Sequence, residues 1–159
     1  MNLVRQYWGG ERVYHHTAPV NMNYALYAAL RLVLEEGLES RWRRHKHHHK
    51  ALKAGLKALG ITYLADPRHQ LPMLNAVASP AGVDEAKVRR RLLEEFSIEI
   101  GGGLGDFKGR AWRIGLMGES CTRRHVEACI GALGLILAEL GAVKDAEAGV
   151  AAAQDYYTV

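Results

Sequence analysis

Over residues 21–36 the apolar side chains Met22, Ala25, Leu26, Ala29, Leu30, Val33 and Leu34 recur three and four positions apart. That is the spacing of one helix face, and Gly37 follows as a stop. A second helix is expected over 38–59, where Leu38, Trp42, His45, His49, Leu52, Leu56 and Leu59 alternate four and three apart before Gly60. The period then changes. Residues 61–64 and 74–78 are short apolar runs bounded by turn residues and read as strands. Asp84 can cap a helix carrying Val88, Leu92 and Phe96, and Ile98 with Ile100 predicts a short strand running into Gly101. Residues 111–116 form the next strand candidate. Thr122 or Ser120 can cap a last helix with Val126, Cys129, Ile130, Leu133, Leu137 and Leu140 on its apolar face, ending at Gly141. The Ala-rich stretch 142–159 shows no period that decides its structure.

The order helix-helix-strand-strand-helix-strand-strand-helix lacks the βαβ alternation of a doubly wound sheet. It predicts an α+β fold, a two-layer sandwich in which helices cover a small, mostly antiparallel sheet. With 159 residues, 48% hydrophobic and 24% charged, one globular domain is expected. No apolar run reaches membrane-spanning length, and MNLVRQYWGG has no charged segment followed by an apolar one, so a cytoplasmic protein without a membrane partner is expected. The two cysteines, Cys121 and Cys129, lack CxxC spacing and are expected to be reduced thiols.

Lysines and arginines number 21 against 17 acids, a net charge of +4, and much of the excess sits in RWRRHKHHHK at 41–50. A nucleic-acid module would spread basic residues along a groove within a known motif, and none is present, so no nucleic-acid partner is expected. His45, His48 and His49 lie within one helical turn and can be imagined around a metal. The favoured reading is a solvated basic face with His45 and His49 tucked against the core, because carboxylate ligands at defined spacing are missing. No metal site is expected.

Three further features can carry chemistry. Gly101, Gly102, Gly103 and Gly105 resemble a phosphate loop, but GGGLGDFKGR contains neither Gly-Lys-Ser/Thr nor the third glycine of the dinucleotide fingerprint. They read as a turn or as backbone passing close to a ligand. Arg113 stands in the strand WRIGLMG, either as an edge arginine in solvent or as a guanidinium able to hold a carboxylate by two parallel hydrogen bonds. Tyr14 and Thr17 lie in YHHTAP, an extended lead-in to the first helix, where their hydroxyls can bind a phosphate or merely pack.

Taken together and in order, RQYWGGERVYHHTAPVNMNYAL, LEEGLESRWRRH, LPMLNAV and IEIGGGLGDFKGRAWRIGLMG resemble the C-terminal part of class V aminotransferases, nearest to the alanine:glyoxylate and serine:pyruvate aminotransferase group. The resemblance extends to about Leu140. It implies the small domain of a fold-type-I enzyme that uses pyridoxal 5'-phosphate (PLP) and works as a homodimer with amino-acid and 2-oxo-acid substrates. By the same resemblance, residues 1–20 are a lead-in toward the cofactor site, 21–141 are the small domain and 142–159 are a tail. Arg113 then matches the arginine that holds the substrate carboxylate, and Tyr14 and Thr17 match residues that reach the cofactor phosphate of the neighbouring subunit. The family's Schiff-base lysine, its ring-stacking aromatic residue and the aspartate on the ring nitrogen precede this region. No catalytic residue is therefore assigned, and the chain by itself is expected to be inactive without the lysine-bearing large domain. A non-catalytic dimerising or partner-binding module is the alternative. Glu119 and the basic HKHHHK cluster depart from the family's pattern.

Overall fold

A computed structural model describes residues 1–10 and 13–158, which divide into two compact units at Leu38 and Glu39. The first unit opens with a short helix, α1 (Asn2–Tyr7), where an extended segment is expected, and continues without regular structure over 13–19. Pro19 introduces α2 (Val20–Glu36), which ends at Gly37 with φ 78°, a left-handed conformation that suits glycine. No residue of α2 is buried, and Met22, Leu26, Leu30 and Leu34 are all exposed. The helical period is present, but nothing among the described residues covers its apolar side.

The second unit holds the core. Helix α3 (Leu38–Ala58) contributes Leu52 and Leu56, and a three-stranded antiparallel sheet lies against it in the order β1-β3-β2. Strand β1 is Leu74–Ala78, β2 is Gly101–Gly102 and β3 is Ala111–Gly115. Side chains alternate across the sheet, so Asn75, Val77, Trp112 and Ile114 enter the core while Ala76 and Arg113 face outward. Between the strands lies α4 (Glu85–Phe96), whose cap Asp84 accepts from the backbone N–H groups of Ala86 and Lys87. Thr122 caps α5 (Arg123–Glu139), which buries Val126, Ile130, Leu133 and Leu137. The structure is thus α+β, with helices over a small antiparallel sheet.

Three segments differ from expectation. Residues 61–64 form no strand, only a bridge from Tyr63 to Val77, before the chain turns through Pro67–His69. Ile98 and Ile100 reach the core from an irregular segment that begins at Ser97 (φ 56°), and pairing starts only at Gly101. The undecided tail contains α6 (Ala148–Thr158), which packs through its small residues Gly149 and Ala153. A Cβ on Gly55 of α3 would lie 2.4 Å from Ile130 Cδ1 and 2.7 Å from the Gly149 carbonyl oxygen, so α3, α5 and α6 meet backbone to side chain. Residue 159 at the end of that tail lies outside the described residues, as do Glu11 and Arg12 of the lead-in. Among the described residues no helix is long and apolar enough to cross a membrane.

Candidate substrate and cofactor sites

Arg113 is half-buried on the outward face of β3, the middle strand. Its direct cross-strand neighbours are Ala76 on β1 and Gly101 on β2. Both are small, which leaves the guanidinium room to lie along the sheet instead of projecting from it. Arg113 Nε donates to the Gly102 carbonyl at 2.7 Å. Its two terminal nitrogens have no hydrogen-bond partner among the described residues. The arginine lines a cleft of about 280 Å³ whose other walls include Leu64, Leu104 and Phe107. Among the described residues Arg113 is the one charged residue lining it, so the cleft presents a cation edge beside apolar side chains, a pairing that suits a carboxylate.

The glycine run has a separate structural reason at each of its first positions. A Cβ on Gly101 would come 3.1 Å from Arg113 Nη2, and one on Gly103 would fall 2.0 Å from the Phe107 carbonyl oxygen. The backbone therefore passes close to Arg113, and no phosphate cradle is needed to explain GGG. Beyond the loop, Arg44 Nη1 donates to the carbonyls of Gly118 and Cys121, both at 2.9 Å, and pins the turn that follows β3.

The histidines of α3 are engaged with protein groups. His45 Nδ1 lies 2.7 Å from the Arg41 carbonyl, His49 Nδ1 is 2.7 Å from Asn75 Oδ1, and His48 Nδ1 is 2.7 Å from the Tyr157 hydroxyl. Burial holds the pKa of both His48 and His49 below the ordinary imidazole value. The charges of His47, Arg44 and His45 add to this at His48, while at His49 the Asn75 hydrogen bond opposes it. Among the described residues no group of three or more metal-ligating side chains occurs. The buried Asn75–His49–Tyr63 network escaped the sequence reading, because an asparagine flanked by apolar strand residues gives no periodic signal.

In the first unit, Tyr14 Oη and Thr17 Oγ1 are 2.8 Å apart and share a hydrogen bond, and both side chains are exposed. Two hydroxyls this close can turn together toward one acceptor, which fits the oxygens of a phosphate group. Residues 1–38 contain no lysine. This unit therefore offers a pair of hydroxyl donors and no lysine side chain.

No protein-family model matches the chain. Comparison with known proteins finds the (S)-ureidoglycine–glyoxylate transaminase of Bacillus subtilis at 41% identity over 157 residues, covering 99% of this chain and 38% of that enzyme. Its crystal structure superposes with a TM-score of 0.89. The chain matches the C-terminal portion of class V aminotransferases. The crystal structure of an alanine–glyoxylate aminotransferase from Nostoc sp. is 47% identical, with a TM-score of 0.77 over 86% of this chain and 36% of that one. The chain thus spans about two fifths of the length of these aminotransferases, as expected for a C-terminal portion.

Proposed function

We propose that this chain is the substrate-carboxylate-holding and phosphate-holding portion of a PLP-dependent transaminase that moves an amino group between alanine or serine and glyoxylate or pyruvate. The observation that carries the reading is Arg113. Its Nε is tied to the Gly102 carbonyl, and its terminal nitrogens are unpaired among the described residues at the wall of an apolar cleft. Two parallel N–H groups match the two oxygens of a carboxylate, so the arginine fixes both the position and the rotation of an amino or 2-oxo acid. Leu64, Leu104 and Phe107 give the cleft beside that pair an apolar lining.

The hydroxyls of Tyr14 and Thr17 are the groups of this chain that would hold the phosphate of PLP. PLP, when bound, supplies the electron sink that makes the substrate Cα–H acidic, and this requires a lysine and a ring-nitrogen partner from the large domain. The active assembly is a homodimer, or a complex with a separate large domain, in the cytoplasm, and the chain alone does not transaminate. In that assembly residues 1–20 are the lead-in to the cofactor and 21–141 the small domain. A non-catalytic dimerising module is the second reading. The exposed Met22, Leu26, Leu30 and Leu34 of α2 favour it, since an apolar row of this size asks for a partner.

The test is Arg113→Ala in the enzyme that contains this segment. The KM for alanine is expected to rise far more than the Kd for PLP, and equal losses of both would remove the carboxylate role. A dimer of the native protein that binds no PLP would favour the second reading.

A further inference from the structure

Arginine is a flexible residue to place in a site that must orient its ligand. Four rotatable bonds separate its guanidinium from the backbone, and a side chain that is disordered before binding loses that freedom on binding. On this sheet, strand β2 consists only of Gly101 and Gly102 and pairs with Arg113 and Trp112 respectively. By the alternation of the pleat, the two glycines present opposite faces. On the outward face, a Cβ on Gly101 would be 3.1 Å from Arg113 Nη2 and 3.4 Å from both its central carbon and Nε. On the opposite face, a Cβ on Gly102 would be 3.2 Å from Nε and Nη2 of Arg89. The two-residue strand is thus held between two guanidinium groups. Arg89 is anchored in turn, since its Nε donates to Glu85 Oε2 at 2.7 Å, and the Glu85 side chain is only 8% exposed.

We propose that Gly101 and Gly102 are positioning residues for Arg113. Gly101 is a bare backbone seat on which the guanidinium lies, and Gly102 supplies the carbonyl that locks Nε. The proposal rests on the carboxylate reading of Arg113 and deepens it. With Nε occupied, the edge formed by the two terminal nitrogens is the one left for a ligand, so the carboxylate docks end-on. A Cβ at 101 makes the guanidinium give way by a few tenths of an ångström, and a larger side chain takes the seat and turns it out of this orientation. The Glu85–Arg89 pair supports the same strand from the core side.

The test uses the 159-residue chain and NMR of arginine side chains, with the Arg113 Nε–H resonance assigned by its loss in Arg113→Lys. In the native protein this proton is expected to exchange at least about tenfold more slowly than that of free arginine, as a side-chain N–H held by a backbone carbonyl should. Gly101→Val is expected to return it to the free rate. Gly102→Val, which crowds Arg89 instead, is expected to leave it slower than in Gly101→Val. Protection that persists in Gly101→Val, or is absent from the native protein, overturns the proposal. If Gly101→Val loses the dispersed Trp112 indole signal of a folded core, Gly101→Ala decides. Its Cβ must still accelerate exchange, and an unchanged rate is a refutation.

Pyruvate, with chloride at matched ionic strength as control, reads the substrate assignment separately. Shifts of the Arg113 resonances in the native chain, weakened about tenfold in Gly101→Val, support seat and substrate together. Pyruvate that moves nothing while the exchange pattern holds removes the carboxylate reading and leaves the seat established.

Discussion

Replacing Asn75 by alanine is expected to cost about 3 kcal/mol of stability. The side chain is fully buried in β1, immediately before Ala76, the neighbour of Arg113. Its Oδ1 accepts from His49 Nδ1 at 2.7 Å and from the Tyr63 hydroxyl at 2.9 Å, and its Nδ2 donates to the Ile114 carbonyl at 3.2 Å. Truncation leaves two donors facing a space that offers no acceptor. Each orphaned buried donor costs about 1–3 kcal/mol, and Tyr63, which is only partly buried and can recover some hydration, belongs at the low end. Urea unfolding followed by circular dichroism reads the result. With a slope of about 2 kcal/mol per molar urea for a domain of this size, the midpoint should fall by about 1.5 M. Tyr63→Phe removes one hydroxyl and leaves Oδ1 its bond to His49, so its cost should be near 1 kcal/mol. The double variant should cost less than the sum, because the hydroxyl that Asn75→Ala orphans is then gone. A midpoint shift for Asn75→Ala within error, or strict additivity of the two, would refute the network as a source of stability.

Other expectations follow from the same geometry. His48 and His49 have folded pKa values below 6.5, chiefly through burial, so the unfolded chain takes up protons first as the solution is acidified. Their contribution to stability is therefore complete above that value and is lost as pH falls through it; urea midpoints measured from about pH 7.5 to 5.5 should decline, and a rise would contradict the assignment. Burial pushes the Cys129 thiol up to about 12, and Cys121 is also buried, so a thiol probe at about pH 8 should label neither in native protein and both in urea. Rapid native labelling of either would show that the core opens there. On α5, a Cβ at Gly134 would lie 2.2 Å from the Ala146 carbonyl oxygen, whereas one at Gly131 would touch only Val150 Cγ2 at 3.4 Å. Gly134→Ala should destabilise by about 2 kcal/mol and Gly131→Ala should be neutral or mildly stabilising, and equal melting shifts would count against this packing.

Apart from α2, the elements that periodicity located are those whose buried side chains are large. Helices α3, α4 and α5 and strands β1 and β3 lie within a residue or two of the expected bounds because Leu, Ile, Val and Trp mark their inward faces, whereas α2 matches its bounds on a period whose apolar side is exposed. Helix α6 was illegible for the converse reason: it docks through Gly149 and Ala153, whose burial leaves no hydrophobic stripe to count. Ile98 and Ile100 were read as strand because apolar alternation reports burial, and burial does not require a hydrogen-bonded partner. For the site, Arg113 was visible as a charge among apolar neighbours, with two readings open. Arg113 lies on the middle strand, half-buried and bonded to the Gly102 carbonyl, so it is not an edge arginine in solvent. What composition could not disclose was the parity of the two glycines, which depends on the register of β2 against β3.

That register bears on how such a protein decays under mutation. Every amino-acid replacement reachable from a glycine codon by one base change adds a Cβ, and at Gly101 that atom arrives 3.1 Å from the Arg113 guanidinium, not against the core. On the proposed carboxylate role of Arg113, drift at this codon loosens its hold while the helices and the rest of the sheet persist. Such a replacement leaves the arginine itself in place, so the residue at 113 would not reveal it.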